Sequence, residues 1–452
     1  MPIQSRLFSA FEYHKDTRFY LADYRYEGSP ETGWEIYRNN THYLSLPRGY
    51  ILLKTLSCGI CSTDISRHNL SFPLPQITGH EVVALHNDKM VVVDINASHK
   101  HHGSGAACSY CENGLENHCP DRLTLGIDRL PGGFAPYILV PRHAIFLLPE
   151  SFDIKMASVI EPFAAALHAV HLETIHEGDN IAIIGPRRLG CLLILALSLW
   201  RKQAKINFKI TAIIRNEKLW SLCQLAGADE IITSGFGKYD VVFDTSGSSS
   251  GFNLALGLAK RVVHVKSTSG EVTAGLTHLT EMVIDELSLS SLPILEGKKI
   301  ALDSCLGEKN ITKIISEHDK REFTVLTQID NQTNCNRVFD AVVGASVGFI
   351  NAIVNNRKVC RLIKPRGTLY LMQDKRRQSL LSMALCHGVK VSTSRCGNFD
   401  AAITAFQQDS NLVHEFLQQF ISGIYPQSQL PEAFKVAKQN KDAVKILIKH
   451  DV

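Results

Sequence analysis

The sequence predicts an α/β protein built from a mostly β first domain followed by a doubly wound parallel sheet that carries an α/β insertion. Three observations carry this. Residues 1–170 hold short β-like runs punctuated by Gly, Pro, Asn and Asp, together with nearly all the clustered His and Cys. Past residue 178 the pattern becomes strand, Gly-rich turn, helix, strand, helix, the rhythm of parallel βαβ units. Residues 291–388 show that texture a second time.

In the first region the runs YILLKTL, MVVVDI and PYILVP are strand-like. In the second, IAIIG (181–185) reads as a buried strand, LGCLLILALSLW as a helix, KITAIIR (209–215) as a second strand and EKLWSLCQLAGA as a second helix. DEIITS, YDVVFDTSG and RVVHVKS supply further strands, most of a doubly wound nucleotide-binding sheet. Within 291–388, KKIALDS, FTVLTQI, FDAVVGAS and GTLYLMQ are strand-like and FINAIVNNRKVCRLIK is helix-like. The likeness to 239–266 is too loose to define a repeat. The stretch reads as an insertion in, or extension of, the sheet domain.

Length and composition bound the rest. A chain of 452 residues exceeds one ordinary core. Hydrophobic content of 45%, charged content of 20% and a net charge of +4 describe a folded protein without the basic bias of a nucleic-acid binder. The N-terminus has scattered charges and no uninterrupted apolar run, and the most apolar stretch, 181–200, is broken by Pro186, Arg187 and Arg188. No signal peptide or spanning helix is expected, which points to a cytoplasmic protein without a membrane partner. Its 12 cysteines therefore read as reduced thiols or metal ligands. Cys191, Cys223 and Cys386 stand in apolar contexts and read as small core residues.

The strongest chemical signal is LSCGICSTD (56–64), followed by ITGHEVVA (77–84) and SVIEPFAAALHAV (158–170). Taken singly, each has a bland reading: a core cysteine, a turn with a surface pair, a glutamate between segments. Together, thiolate, imidazole and carboxylate are the ligand types of a zinc site with an open position. A second cluster, Cys108, Cys111 and Cys119, has the C-x2-C-x7-C rhythm of a loop wrapping a metal, one ligand short of a closed zinc site.

In this order the motifs resemble the zinc-dependent medium-chain dehydrogenases, the alcohol, sorbitol and threonine dehydrogenase-like superfamily. The resemblance is carried by CGICSTD, GHE, the cysteine loop ending in HCPD, GGFAPYILVP, EPFAAALHAV, IIGPRRLG and GADEII, and resumes at VSTSRCGNFDAAITAF and LPEAFKVA. It implies a GroES-like catalytic domain over 1–170, a Rossmann-type nucleotide-binding domain over 171–397, and a segment, 398–452, packing back on the first. It also implies catalytic zinc ligands at Cys61, His80 and Glu161, with Glu81 the second carboxylate that approaches or replaces a ligand. Thr63 then takes the substrate proton, Asp64 steadies the ligand histidine, and Cys58 is structural. The family often has a histidine where this chain has Ser66, with His68 two residues on, so the proton exit beyond Thr63 departs from the pattern.

In the cysteine loop the family's first ligand falls at Gly105, which cannot ligate. Two readings stand: zinc is lost there, or one of His99, His101 and His102 substitutes. The segment IAIIGPRRLGCLL takes the place of the dinucleotide fingerprint. Gly185 and Gly190 match its first and third glycines, while Arg187 replaces the middle one. Arg187, Arg188 and Leu189 open the following helix, whose N-terminus and two guanidinium groups favour an anion. The second strand ends at Arg215 without the acid that NAD-selective folds place there, which tilts NAD or NADP towards NADP. Arg395 is a weaker candidate contact.

These readings converge on a zinc oxidoreductase acting on an alcohol or polyol with a nicotinamide cofactor, reversible with aldehyde or ketone; by resemblance it is a homodimer or homotetramer. The rival is a noncatalytic or regulatory relative that kept the fold.

Overall fold

The computed structural model describes residues 3–70, 72–102, 108–266, 274–291, 295–327, 338–355, 362–372 and 379–451. Gly105 lies outside them. Residues 4–46 form an antiparallel meander of β1 (Gln4–Tyr13), β2 (Phe19–Ser29), β3 (Gly33–Arg38) and β4 (Thr41–Leu46). Its buried carboxylate, Glu12, accepts from Tyr24 Oη at 2.5 Å and from Arg38 Nε and Nη2 at 2.6 Å each, so the buried charge is paired with a half-buried counter-ion.

A second sheet follows: β5 (Tyr50–Gly59), the short helix α1 (Ser62–Ile65), β6 (Glu81–His86) and β7 (Lys89–Val93). A lobe comes next, with β8 (Asn96–Ala97), α2 (His99–His102), α3 (Ser109–Glu112) and β9 (Leu123–Thr124). Then come β10 (Tyr137–Pro141), β11 (Ile145–Leu147), α4 (Ile154–Ala157) and α5 (Ile160–Leu172).

The parallel region begins with β12 (Asn180–Ile184), α6 (Arg188–Ala204), β13 (Lys209–Ile213), α7 (Trp220–Leu225), β14 (Glu230–Ile232), β15 (Tyr239–Asp244), α8 (Ser249–Leu258) and β16 (Ala259–Val265). The run IAII is fully buried, as a strand covered on both faces must be. It continues with α9 (Leu279–Asp285), β17 (Ser288–Ser290), β18 (Lys299–Asp303), α10 (Glu308–Glu317), β19 (Glu322–Leu326), β20 (Phe339–Gly344), α11 (Val347–Asn355), β21 (Ile363–Leu371), α12 (Leu380–Cys386) and β22 (Lys390–Thr393). These strands make one sheet of eleven in the order β14-β13-β12-β15-β16-β22-β17-β21-β20-β18-β19.

The insertion thus extends the sheet, and its winding is specific. The order β19-β18-β20-β21 reproduces β13-β12-β15-β16, each set parallel throughout. The two halves run oppositely and meet through one antiparallel pair, Leu289 with Val391. Sequence comparison of the halves left the repeat undefined because topology is carried by strand order, which diverged side chains do not display.

The chain ends with α13 (Phe399–Gln408), α14 (Ser410–Phe420), β23 (Ile421–Pro426), α15 (Leu430–Gln439) and β24 (Lys445–Lys449). The last two strands join the sheet of β5, in the order β11-β7-β6-β5-β24-β23, with β10 also on β5. Two compact units result, Met1–Leu167 with Cys396–Val452, and His168–Arg395. Tyr50, Val82, Phe134, Leu430 and Ile448 belong to the core of the first. Val242, Val263, Leu369, Leu381 and Val391 belong to that of the second.

Three local readings are corrected. Of the helix expected over FINAIVNNRKVCRLIK (349–364), 349–355 fall in α11, 356–361 lie outside the described residues, and Ile363 and Lys364 open β21; a residue before proline, here Lys364 before Pro365, is driven out of helical geometry. The second helix of the first winding is shorter than EKLWSLCQLAGA, at Trp220–Leu225. Cys386 is exposed, because it ends α12 on the face turned from the core, whereas Cys191 and Cys223 are buried as expected. The ten described cysteines are all free thiols. Among the described residues, no helix is long and apolar enough to cross a membrane.

Candidate active site and zinc lobe

The first unit gathers the CGICSTD and GHE motifs around one buried point. Cys61 precedes α1, and Asp64 on that helix reaches back: its Oδ2 accepts from the Cys61 backbone N–H at 2.9 Å and its Oδ1 from the Gly79 N–H at 3.1 Å. The same Oδ1 lies 3.4 Å from His80 Nδ1. One buried carboxylate therefore fixes both backbones and the imidazole face. Gly79 is required beside it. Its φ is +94°, and a Cβ there would lie 2.8 Å from Cys58 Sγ and 2.9 Å from the Phe134 ring.

Ligand atoms of Cys61, His80 and Glu81 lie within 4.8 Å of one another, the spacing of a set that can hold a metal ion. Glu81 opens β6 opposite Gly59, and Lys445 at the start of β24 donates to its Oε2 at 2.5 Å, both side chains being 1% exposed. Its other oxygen, Oε1, is buried without a hydrogen-bond partner among the described residues. A buried carboxylate oxygen left open beside a thiol and an imidazole fits a cation there. Burial lowers the His80 pKa, but the Asp64 and Cys61 charges outweigh it and raise the pKa well above the usual imidazole range. Burial pushes the Cys58 thiol well above its ordinary value, with Asp64 and Glu81 adding to it, so Cys58 remains a protonated packing residue.

Glu161, near the start of α5, lies outside that group of three. The carboxylate brought to Cys61 and His80 is Glu81, because it follows His80 directly in the chain. Glu161 is still within electrostatic reach. Burial pushes its carboxyl up to about 7, against the His80 and Lys445 charges and with help from Glu81. Thr63 is half-buried on α1 between Cys61 and Asp64. Beyond it, Ser66 caps the helix end, and the exposed His68 has Nδ1 3.3 Å from Tyr13 Oη. Sequence reading missed Lys445, one of the two lysines of AVKILIK, whose role exists only once β24 lies against β5.

In the lobe, His99, Cys108, Cys111 and Cys119 bring their ligand atoms within 4.8 Å of one another. His99 Nδ1 is 3.3 Å from Cys119 Sγ, and its Nε2 is 3.6 Å from Asp121 Oδ2. The other two histidines are engaged elsewhere: His101 with Ser98 Oγ at 3.0 Å and Asp94 at 3.7 Å, His102 with Tyr50 Oη at 3.0 Å. Burial raises the Cys108 thiol, but hydrogen bonds from the Cys111 backbone, His99 and Cys111 bring it down to about 7, towards the thiolate a metal takes.

In the second unit, Gly185 follows β12 with φ +68°, and α6 starts at Arg188. A Cβ on Gly190 would lie 2.5 Å from Thr245 Oγ1, so close helix–strand packing uses that glycine. Arg187, in place of the middle glycine, takes φ −135° and ψ −111°. Leu189 is half-buried in the first turn, and Arg215 is exposed just past β13.

A cluster able to hold a cation on a β domain, and a strand–glycine turn–helix in a parallel sheet, are the two features that bear on comparison with known proteins. The chain is similar to zinc-type medium-chain, alcohol dehydrogenase-like proteins. Residues 47–150 match the alcohol dehydrogenase GroES-like domain. An L-threonine 3-dehydrogenase from Pectobacterium atrosepticum is 27% identical over 222 residues, 46% of this chain and 58% of that enzyme. A Bacillus subtilis sorbitol dehydrogenase is 27% identical over 236 residues, 47% of this chain and 65% of that enzyme. The chain therefore matches less than two thirds of the length of these relatives. Escherichia coli L-idonate 5-dehydrogenase shares the fold with a TM-score of 0.58 at 16% identity, covering 99% of this chain and all of that one. A putative zinc-binding dehydrogenase from Sinorhizobium meliloti, bound to NADP, has a TM-score of 0.55 at 18% identity, covering 98% and 99%.

Proposed function

We propose that this protein is a zinc-dependent oxidoreductase that exchanges hydride between the CH–OH group of an alcohol or polyol and a nicotinamide cofactor. The observation that carries it is the convergence of Cys61, His80 and Glu81 on one point, with Glu81 Oε1 buried and without a hydrogen-bond partner among the described residues. Cys61 and His80 would hold zinc with a carboxylate, Glu81 in the arrangement seen and Glu161 as the alternative. Zinc, when bound, lowers the pKa of an alcohol oxygen so that it ionises near neutrality. Asp64 holds the His80 ring and the Cys61 backbone, and Lys445 balances Glu81. Thr63 takes the hydroxyl proton and hands it towards solvent.

The Gly185–Gly190 turn, with Arg187, Arg188 and Leu189, would bind the cofactor pyrophosphate, and the cofactor when bound accepts or returns hydride. Arg215 favours a 2′-phosphate, hence NADP over NAD. His99, Cys108, Cys111 and Cys119 would hold a second, structural zinc. Assembly as a homodimer or homotetramer belongs to the same reading.

The test is a dehydrogenase screen of polyols and primary and secondary alcohols with NAD and NADP, with zinc measured on the same sample. Activity with two zinc per chain is expected, and C61S should abolish activity and remove one zinc. Absence of any nicotinamide nucleotide binding would overturn the assignment in favour of a noncatalytic relative, the reading that Arg187 in place of the middle glycine favours.

A further inference from the structure

The N-terminal meander ends on an open strand. Its order is β1-β2-β3-β4, so β1 pairs with β2 on one side and has no strand on the other among the described residues. Tyr13 shows which groups face that open side. Its N–H donates to the Gln76 carbonyl at 2.9 Å and its carbonyl accepts from the Gln76 N–H at 3.2 Å, away from β2. In an antiparallel ladder this direction alternates along the strand, so Ser5, Leu7, Ser9 and Phe11 turn their N–H and C=O groups to the same side as Tyr13. The Ser5 carbonyl accepts from Arg6 Nη1 at 3.1 Å, an exposed contact that an incoming strand would displace. Ser5, Arg6, Leu7 and Ser9 are all exposed.

The side chains on this strand are apolar where a water-facing edge is normally guarded. Phe8 and Ala10 belong to the core face, with the Phe8 ring against Tyr24 and Tyr26. The other face carries Leu7, Ser9 and Phe11, with Arg25, Asp23 and Leu21 opposite them on β2. Leu7 is 73% exposed, Leu21 65%, and Ile3, just ahead of the strand, 74%. Edge strands are usually kept short, bulged, or marked with lysine or proline, because a free ladder edge recruits another strand. β1 runs ten residues in unbroken register with β2 and contains neither lysine nor proline. Of its two charges, Glu12 is buried on Arg38, which leaves Arg6.

The strand is complementary to itself. Laid antiparallel to a second copy about a two-fold axis at Leu7, it sets Leu7 against Leu7, Ser5 against Ser9 and Ile3 against Phe11. Apolar then meets apolar and hydroxyl meets hydroxyl, and Arg6 falls opposite Phe8, so no like charges stand directly opposed. Slips of two residues, which keep the open backbone groups matched, put Leu7 against Ser5 or Ser9. A slip of four that sets Leu7 against Phe11 also sets Ser5 against Tyr13, whose backbone Gln76 already holds. Resting on the homodimer reading above and deepening it, we propose that two copies of this chain pair β1 with β1 antiparallel about Leu7, joining their four-stranded meanders into one continuous sheet. Backbone hydrogen bonds supply the affinity, and the Ile3, Leu7 and Phe11 stripe fixes the register.

The experiment is sedimentation equilibrium of the full chain and of L7K, L7E and S9P, with thermal melts confirming folding. L7K places two ammonium groups face to face at the axis, and S9P removes an N–H that faces the open side and takes no part in the ladder with β2. Each should raise the dimer dissociation constant about tenfold or more. An equimolar mixture of L7K and L7E should restore the dimer, which a merely misfolded variant would not do. A wild-type tetramer that L7K cuts to dimers supports the inference equally. Wild-type dimers left unchanged by both L7K and S9P overturn it while the homodimer reading stands, and a monomeric wild type overturns both. Should S9P not fold, L7K at its exposed position and the L7K with L7E mixture still decide the question.

Discussion

Glu81 is a buried carboxylate with two different oxygens, one accepting from Lys445 and one without a hydrogen-bond partner among the described residues. Removing the cation leaves an uncompensated charge in the interior. K445M should therefore destabilise the protein by about 3–5 kcal/mol in urea titration, whereas K445M/E81L should recover most of the loss. His450 gives the pH dependence. Burial lowers its pKa to about 4 while Nε2 donates to the Gly133 carbonyl at 3.0 Å, so it folds neutral. An imidazole whose folded pKa lies below its unfolded value contributes no penalty above pH 6.5. Stability falls as pH drops from about 6.5 through about 4, by up to about 3 kcal/mol. Replacing it by glutamine, which keeps a donor but does not titrate, should flatten that part of the stability–pH curve measured by thermal melts. Cys61, His80 and Asp64 were legible because their motifs are contiguous. Lys445 was not, since a lysine 364 residues from its partner carries no local mark.

At the scale of elements, the lobe between β8 and β9 is built on short helices that cannot stand alone. The four-residue helices α2 and α3 are below the length at which helix propensity sustains a fold. A metal bound by His99, Cys108, Cys111 and Cys119 would supply the missing cross-link. H99A should lower zinc from two to one per chain and speed proteolysis within 99–121, while H99C should retain two zinc. H101A and H102A should leave the zinc count unchanged. The sequence offered three histidines without ranking them; backbone direction at α2 selects among them, turning His101 to Asp94 and His102 to Tyr50.

At the scale of the whole molecule, the chain closes its first unit with its last segment. β24 lies against β5 through Leu447, Ile448 and Lys449, and Lys445 reaches Glu81 from there. Truncation after Arg395 should expose the β5 edge, strand Glu81 and abolish zinc binding at Cys61. The continuous fragment 168–395 should retain a single cooperative melt by circular dichroism. Composition and periodicity by themselves determined a β domain followed by a parallel sheet, and the contiguous motifs placed the thiol, imidazole and carboxylate residues and the glycine turn, because these depend on neighbours within a few residues. Which carboxylate faces Cys61 and His80, which histidine joins the three cysteines, the second winding of the sheet and the open side of β1 were decided only by tertiary structure. Each depends on residues brought together across a sheet or a loop, and such distances leave no trace in local pattern.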